Sequence, residues 1–307
     1  MKNNNKTIIL LKDSDIFMKK VFEYNFKGAD IELIPDSFTP FDREKLASQI
    51  NNNYSQVIFY DYYDQFYLLL PLISKKVIKK YIIHNGIAIL NNEYMLNNML
   101  QLYEYKERGL LNYIATTRYD TYISLKDKIE FIKLDYKSKL KSKEKNDSIG
   151  ILGLYYVEYT NFFVQLTAIA MSSMKKATVL EQNNVVKKFG EDFNVKIEEE
   201  KNIEKLIIKN KVNLDCRFSD VSIESFLISM DAGIPCILGN TSLLDDNSIL
   251  KDALVLESDD DVNEISEKIS SVLKNKEFIL KTYSDWREQY SNKSKESIEQ
   301  FLKLGGK

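Results

Sequence analysis

One histidine and two cysteines are the residues of this chain best suited to act as a base, a nucleophile or a soft metal ligand: His84, Cys216 and Cys236. So few of them cannot supply a zinc site of nitrogen and sulfur ligands, nor a framework of several disulfides. A mechanism of the Ser-His-Asp or Cys-His type would have to use His84. The sequence therefore predicts no metal site and two reduced, buried cysteines, and it makes His84 a candidate catalytic residue.

A second candidate site lies in Cys216–Asn240, where an apolar strand leads into a helix. Ser219 and Ser222 are both able to cap that helix, and the free N–H groups of a helix N-terminus attract phosphate. Gly233 suits the end of the helix, and Pro235 suits the start of the next strand. The segment indicates a phosphate site. A strand–helix–strand unit whose ends are set by these serine, glycine and proline residues, without a ligand, explains the same pattern.

Gly150 and Gly153 follow the start of another apolar run with the spacing Gly-x-x-Gly, which is a weak signal for a phosphate-binding loop. The chain contains no Gly-x-Gly-x-x-Gly and no Walker A sequence. The sequence therefore disfavours two hypotheses, that the protein is a dinucleotide-dependent dehydrogenase and that it is a P-loop enzyme.

Polar residues also follow three apolar runs in the first half of the chain. They are Asp61 and Tyr62 after Val57–Tyr60, His84 after Tyr81–Ile83, and Arg118 and Tyr119 after Tyr113–Thr116. If the runs are parallel strands, their carboxyl ends meet at one edge of a sheet. Tyrosine rings stack on sugars, carboxylates bind hydroxyls, and an arginine binds anionic groups. A helix cap, edge packing or a satisfied loop histidine would explain the same residues without a ligand.

The elements that position these residues alternate along the chain. Short runs rich in β-branched and aromatic residues are separated by amphipathic stretches, which is typical of βαβ units around a parallel sheet. The predicted strands are Thr7–Leu11, Ile31–Ile34, Val57–Tyr60, Tyr81–Ile83, Tyr113–Thr116, Ile129–Ile132, Ser148–Leu152, Ala177–Leu180, Val212–Phe218, Pro235–Leu238 and Ala253–Leu256. The predicted helices are Arg43–Ile50, Tyr94–Tyr105, Thr160–Met174, Ile203–Lys209, Ser222–Asp231, Asp260–Leu273 and Ser284–Leu304.

The charged run Lys137–Asp147 interrupts this alternation and has no apolar face. We interpret it as a solvated linker, with a phosphate or anionic-lipid contact as the alternative. The predicted fold class is therefore α/β, with two Rossmann-like domains, residues 1–147 and residues 148–307, facing across a cleft. In such a protein we expect the ligand in the cleft, at the C-terminal ends of the strands.

Residues 219–240, SDVSIESFLISMDAGIPCILGN, resemble the signature of the GT-B glycosyltransferases, in their retaining group with the Glu-x7-Glu motif. The residues on matching positions are Ser219, Met230, Gly233, Pro235, Cys236 and Ile237. Residues 149–174 are similar to the first strand, loop and helix of the donor domain, and the last helices are similar to the closing helices. The resemblance implies the GT-B architecture, with an acceptor-side domain followed by a nucleotide-sugar domain.

The activity that this resemblance implies is that of a metal-independent glycosyltransferase of the hexosyltransferase class. It would move a sugar from a nucleotide-sugar donor, UDP-linked, to a surface-glycan, lipid-linked or protein acceptor in polysaccharide biosynthesis, with no cofactor. Aligned on Gly233, the first motif Glu falls on Asp220 and the second on Ile228, which cannot accept a hydrogen bond. Glu224, one helical turn before Ile228, is the candidate replacement.

The resemblance also implies roles for individual residues. The catalytic candidates are His84, Asp220 and Glu224. The donor-binding candidates are Gly153, Thr160, Asn161, Arg217, Ser219, Ser222, Asn240 and Thr241. The acceptor-binding candidates are Asp61, Tyr62, Arg118 and Tyr119.

Two departures from the family pattern keep a second function open. Thr160 and Asn161 stand where the first donor-domain helix brings a basic residue near the diphosphate, and Arg217 is the candidate replacement. Ile228 stands in place of the second motif carboxylate. The alternative is therefore a non-catalytic glycosyltransferase-like subunit that binds an acceptor or stabilises a catalytic partner.

Composition limits the partners of this 307-residue chain. The formal net charge of −2 indicates no nucleic-acid binding. The apolar run Thr7–Leu11 is too short for a signal peptide or a membrane span, which predicts a cytoplasmic protein and disfavours a periplasmic solute-binding protein. The lysine pairs 75–76 and 79–80 are interpreted as solvated helix residues, with a peripheral contact at the inner face of the membrane as the alternative. A homo-oligomer and a hetero-oligomer both stay open.

Overall fold

The computed structural model describes residues 6–84, 93–142, 147–157, 160–218 and 223–305. The chain forms two compact units, the first of residues 1–135 with 292–307 and the second of residues 136–291. Each unit contains a parallel sheet with helices, so the predicted α/β fold class is confirmed.

The first unit is built on a six-stranded parallel sheet whose order is β2-β1-β3-β4-β5-β6. Its strands are β1 (Thr7–Lys12), β2 (Asp30–Ile34), β3 (Gln56–Tyr60), β4 (Ile78–Ile83), β5 (Tyr113–Thr116) and β6 (Glu130–Phe131). The central strands are buried along most of their length, because helices cover both faces of such a sheet. This is why they appear in the sequence as continuous apolar runs rather than as alternating ones.

The helices of the first unit connect these strands. They are α1 (Ile16–Asn25), α2 (Pro40–Asn53), α3 (Asp64–Leu69), α4 (Glu93–Glu107) and α5 (Tyr119–Leu125), with a short 3₁₀ turn at Leu70–Leu72 after α3. The start of α2 shows how the sequence sets a boundary: Thr39 and Asp42 form a capping box around Pro40.

The second unit is built on a five-stranded parallel sheet whose order is β11-β10-β7-β8-β9. Its strands are β7 (Ile149–Ile151), β8 (Lys176–Val179), β9 (Lys196–Glu199), β10 (Val212–Asp215) and β11 (Cys236–Leu238). Its helices are α6 (Phe162–Met171), α7 (Asn184–Asp192), α8 (Ile203–Lys209), α9 (Ile223–Asp231), α10 (Ser248–Leu254) and α11 (Val262–Lys274). The last helix, α12 (Lys276–Lys303), begins in the second unit and ends in the first.

The predicted boundary at residue 147 differs from the division that the structure shows. Residues 136–147 fall in the second unit and residues 292–307 in the first. The reason for the second difference is the end of α12, where Ile298 and Phe301 are buried and the Phe301 carbonyl accepts a hydrogen bond from Lys80 of β4.

Two predictions about secondary structure are wrong, and one strand was missed. Lys79 and Lys80 are not solvated helix residues, because they lie in β4 and their side chains are 2% and 0% exposed. Ala253–Leu256 is not a strand, since its first two residues end α10 and only Val255 forms an isolated bridge, with Leu238. The charged edge strand β9 was not predicted, because its sequence KIEE lacks an apolar run.

No helix among the described residues is both long enough and apolar enough to cross a membrane.

Candidate functional site

Each sheet has one position where the strand order reverses, and open α/β sheets bind ligands outside the carboxyl ends of the strands at that position. In the first unit the reversal lies between β1 and β3, and in the second unit it lies between β7 and β10. These two edges are where the predicted site residues have to be sought.

Asp61 lies at the reversal point of the first sheet, directly after β3. Its φ of 60° is in the left-handed region, which a residue other than glycine adopts mainly where the surrounding structure imposes it. Tyr81 donates a hydrogen bond to the Asp61 carbonyl at 2.7 Å. Burial, together with repulsion from the Asp15 carboxylate, raises the pKa of Asp61 to about 6. The edge thus holds a carboxyl group that changes its charge near neutral pH.

His84 and Arg118, at the ends of neighbouring strands β4 and β5, form a hydrogen-bonded pair. Arg118 Nε donates to the His84 carbonyl at 2.6 Å, and Arg118 Nη2 lies 3.0 Å from His84 Nε2. A guanidinium can only donate, so Nε2 is the acceptor and the ring is neutral with its proton on Nδ1. That Nδ1–H then donates to Thr117 Oγ1 at 3.0 Å.

The two aromatic acceptor candidates, Tyr62 after Asp61 and Tyr119 after Arg118, contact other side chains of the same unit. The Tyr62 hydroxyl contacts Met99 Sδ at 3.8 Å, and burial raises the pKa of Tyr62 above its ordinary value. The Tyr119 ring, at the start of α5, lies 5.5 Å from the Phe131 ring. Of the predicted residues of this unit, the structure therefore joins His84 and Arg118 by direct contacts, and Asp61 is electrostatically coupled to Arg118.

In the second unit, Gly153, Thr160 and Asn161 form the connection from β7 to α6. A Cβ on Gly153 would lie 2.6 Å from Thr160 Cβ, so only glycine allows this close packing. Asn161 has a φ of 53°, and its side chain donates to the Asp259 carbonyl. Thr160 Oγ1 donates within the loop, to Leu154 O or Val157 O, each at 2.7 Å. At the reversal point of the second sheet, Thr160 thus contacts the same connection, and Asn161 ties the start of α6 to Asp259.

Gln165 and Asp259, which the sequence analysis missed, tie the strand ends of this unit together. The buried Gln165 amide donates to the Thr160 carbonyl at 2.7 Å and accepts from the Cys216 backbone N–H at 3.4 Å. The Asp259 carboxylate accepts from the Asn240 backbone N–H, and burial raises the pKa of Asp259. Neither residue belongs to a recognisable motif. Asp259 is one of several consecutive acidic residues before α11, which the sequence predicts only as the start of a helix.

Arg217 follows β10, and its charge is held by Asp215, another residue that was missed. Arg217 Nε lies 2.5 Å from Asp215 Oδ1, and the two side chains are 15% and 1% exposed. Opposite charges at i and i+2 at the end of a predicted strand are a signal that the sequence did contain.

The structure describes three more of the predicted residues of this unit, the donor candidates Asn240 and Thr241 and the catalytic candidate Glu224. Asn240 is exposed after β11, whereas Thr241 is buried and its Oγ1 accepts from the Leu243 N–H at 3.2 Å. Glu224 lies in the first turn of α9 and is 1% exposed. Ser219, Asp220 and Ser222 lie outside the described residues.

Glycine is needed at position 150 because of side-chain packing, and not because a phosphate binds there. A Cβ there would collide with the side chains of Asn213 and Asn210. These two amides form a buried network in which Asn213 Nδ2 donates to Ser229 Oγ at 2.8 Å and Ser148 Oγ donates to Asn210 Oδ1 at 2.7 Å.

Cys216 and Cys236 are free and buried, as predicted, and burial raises the pKa of both thiols well above the ordinary value. Among the residues that the structure describes, no group of three or more His, Cys, Asp or Glu side chains could hold a metal ion.

Comparison with known proteins assigns the fold. No family model matches the chain, and no curated protein matches it in sequence. Among solved structures, a glycosyltransferase from Rickettsia africae aligns with a TM-score of 0.62 and 12% identity over 99% of this chain and 100% of the other. Anabaena HepE in complex with UDP-glucose aligns with a TM-score of 0.69 and 9% identity over 97% and 99% of the two chains. Sucrose-phosphate synthase from Thermosynechococcus elongatus aligns with a TM-score of 0.64 and 8% identity over 98% of each chain.

These neighbours are glycosyltransferases of the GT-B type, and they match this chain over nearly its whole length. The chain therefore has the GT-B fold, as the sequence resemblance implied. At identities of 8–12% the likeness establishes the architecture alone.

Proposed function

We propose that this protein is a glycosyltransferase that moves a sugar from a nucleotide-sugar donor, UDP-linked, to a glycan, lipid-linked or protein acceptor. The observation that carries the proposal is the GT-B fold along the whole chain, shared with HepE in complexes that contain UDP, UDP with glucose, or UDP-glucose. Acceptor chemistry is supported in kind by Staphylococcus aureus TarM, whose structure contains fondaparinux, α-GlcNAc-glycerol and UDP.

In this proposal the two units divide the work. The second unit binds the donor through the β7–α6 loop (Gly153, Thr160, Asn161) and through the residues that follow β10 and β11 (Arg217, Asn240, Thr241). The first unit binds the acceptor through the edge that carries Asp61, Tyr62, His84, Arg118 and Tyr119. The reaction breaks the bond between the anomeric carbon and the diphosphate oxygen and forms a bond between that carbon and the acceptor hydroxyl oxygen, whose proton leaves with the nucleoside diphosphate. Positioning and neutralisation of the leaving diphosphate supply most of the acceleration in such a reaction, and backbone amides with Arg217 would do this without a metal.

Asp220 and His84 are the residues that test this assignment. Asp220→Ala and His84→Ala should each lower sugar transfer by about 100-fold, the usual effect of losing a positioned polar group in catalysis, without lowering thermal stability. The surface variant Asp252→Ala serves as the control, since Asp252 is exposed on α10 and belongs to no site. Wild-type rates in both site variants would refute the assignment. The anomeric configuration of the product, read by NMR, decides between the retaining and the inverting outcome.

A second function is favoured by Ile228. Ile228 is buried in α9, 1% exposed, at the position of the second motif carboxylate. Its side chain has no hydrogen-bond acceptor for the ribose hydroxyls of a nucleotide. A non-catalytic subunit that binds an acceptor or stabilises a catalytic partner would tolerate this change. Calorimetry with UDP, GDP, CMP and dTDP sugars separates the two: binding with donor hydrolysis supports the enzyme, and no binding to any of them supports the non-catalytic subunit.

A further inference from the structure

Helix α6 of the second unit has an outer face without charge. Its sequence FFVQLTAIAM contains no charged residue. The residues of this helix that are exposed or half-buried are Phe163, Val164, Thr167, Ala170 and Met171. The Thr167 hydroxyl donates to the Phe163 carbonyl at 2.7 Å, so the polar group of this face is used within the helix. A surface helix usually carries charged and polar residues on the side opposite the core, and α6 departs from that pattern.

Helix α7 extends this apolar surface. Val185, Phe189 and Phe193 follow one another at intervals of one turn along α7 and its C-terminal end, and Val185 and Phe193 are 60% and 50% exposed. The Phe189 ring stacks on the Phe193 ring with 4.4 Å between centres, and it lies 5.8 Å from the Phe163 ring of α6. We call the patch formed by these three residues and the outer residues of α6 the α6–α7 face. Large contiguous apolar patches on protein surfaces mark interaction sites.

The charges that border this face are arranged so that the face can bind a copy of itself. Lys188 and Asp192 are exposed, lie one helical turn apart on α7 and form an ion pair of 2.6 Å. They adjoin the apolar stripe, because each is three residues from Val185 or Phe189. If two copies pack α7 antiparallel about a two-fold axis at Phe189, Lys188 of each copy faces Asp192 of the other. A two-fold interface requires this self-complementarity.

The charge balance of the two helices favours a second copy over a lipid surface. α7 carries two lysines, Lys187 and Lys188, and two acidic residues, Glu191 and Asp192, whereas α6 carries no charge. The two helices therefore have no net charge. An anionic membrane attracts clusters of lysine and arginine, and such a cluster is not present on α6 and α7. A border that contains both signs matches a partner with the same border.

We propose that the α6–α7 face is the interface of a homodimer, in which α7 packs antiparallel against α7 of a second copy. Phe189 lies at the two-fold axis, and Val185 contacts Phe193 of the second copy. Lys188 and Asp192 pair across the interface at its border. The inference is independent of the proposed function, because it uses none of the residues that are assigned to the donor, to the acceptor or to catalysis.

Sedimentation equilibrium of the full chain measures the dissociation constant of the dimer. Wild type should associate to a dimer as its concentration rises. Val185→Ser and Phe193→Ser should each weaken the dimer about 100-fold, because losing a buried interface side chain costs about tenfold and a two-fold interface loses it twice. Phe41→Ser is the matched control, since Phe41 is 73% exposed on α2 of the first unit and should leave the constant unchanged. All three changes replace exposed side chains, so thermal unfolding of the monomer should stay the same.

Charge reversal tests the antiparallel arrangement itself. Lys188→Glu leaves two acidic residues at the border and Asp192→Lys leaves two lysines, so each variant alone should dimerise about tenfold or more weakly than wild type. An equimolar mixture of the two variants should restore the dimer, because each chain then meets the opposite charge. The double variant Lys188→Asp with Asp192→Lys, which keeps both signs in one chain, should dimerise like wild type.

Three results would overturn the proposal. The first is a wild-type chain that is monomeric at every concentration; if that monomer floats with phosphatidylserine vesicles, the face binds a membrane instead. The second is a dimer whose dissociation constant does not change in Val185→Ser and Phe193→Ser, which would place the interface elsewhere. The third is a mixture of the charge-reversed variants that associates no better than either variant alone, which would exclude the antiparallel packing.

Discussion

Lys80 is the residue whose substitution makes the sharpest prediction about stability. It lies in β4 with its side chain entirely buried, and Nζ donates to the carbonyls of Phe301 and Leu302 near the end of α12, at 2.6 and 3.0 Å. The cation also lies 5.0 Å from the centre of the Phe301 ring. Lys80→Met keeps an unbranched side chain, one atom shorter than lysine, and removes the charge and its hydrogen bonds.

The magnitude follows from the pKa of the amine. Burial lowers the pKa of Lys80 from 10.5 to about 8. The difference of about 2.5, at 1.36 kcal/mol for each pKa unit, corresponds to about 3 kcal/mol. Between pH 8 and 10.5 the unfolded chain binds the proton more tightly than the folded chain, so the free energy of unfolding rises with pH in this window. This stabilisation is fully present above the unfolded pKa and is lost as the pH falls through about 8.

The assay is urea unfolding followed by circular dichroism at a series of pH values from 7 to 10.5. The wild-type free energy of unfolding, minus that of Lys80→Met, should increase by about 3 kcal/mol across the series. Tyrosine and cysteine ionisations occur in both proteins and cancel in the difference. Lys76→Met is the control, because Lys76 is exposed and its removal should leave the difference flat. Parallel pH profiles for wild type and Lys80→Met would refute the reasoning.

Three further predictions concern other residues. The single histidine makes His84 readable by ¹⁵N NMR: at pH 7 the ring should be neutral with its proton on Nδ1, and Arg118→Met should change this tautomer signal. An unchanged signal would contradict the contact. Gly150→Ala should lower stability by about 1–3 kcal/mol in urea unfolding, because the new Cβ collides with buried Asn213; an unchanged midpoint would refute it. Asp61 has a pKa raised to about 6, so its carboxyl group lowers stability as the pH rises from about 4 to 6. Asp61→Asn should remove this loss of about 2 kcal/mol, as measured by thermal unfolding at pH 4 and pH 7.

The strands were predictable because a buried parallel strand is a continuous apolar run. Tyr113–Thr116 was predicted with the observed ends, and the helix Ile203–Lys209 likewise. The same rule failed where charge hides a strand. Lys79 and Lys80 were predicted to be solvated because lysine is usually exposed. The sequence does not show that Lys79 donates to the Ser74 carbonyl after the 3₁₀ turn, or that Lys80 donates to the Phe301 carbonyl of α12.

The candidate sites were predictable only as positions at the ends of strands. That His84 and Arg118 follow neighbouring strands was visible, because strand ends gather at one edge of a parallel sheet. The contacts that tie the strand ends of the second unit together were not visible, since no motif links Gln165 to Cys216 or Asn161 to Asp259.

The sequence by itself determined the α/β class, the two sheets and the edge of each sheet on which ligand chemistry is expected, because apolar runs are local properties of the chain and each parallel strand ends at the same edge of its sheet. Only the tertiary structure decided which polar groups meet. His84 and Arg118 are 34 positions apart, and Asn161 and Asp259 are 98 apart, so their contacts depend on how strands are ordered and packed. It also decided which charged side chains pair, Arg217 with Asp215 and Arg287 with Asp231.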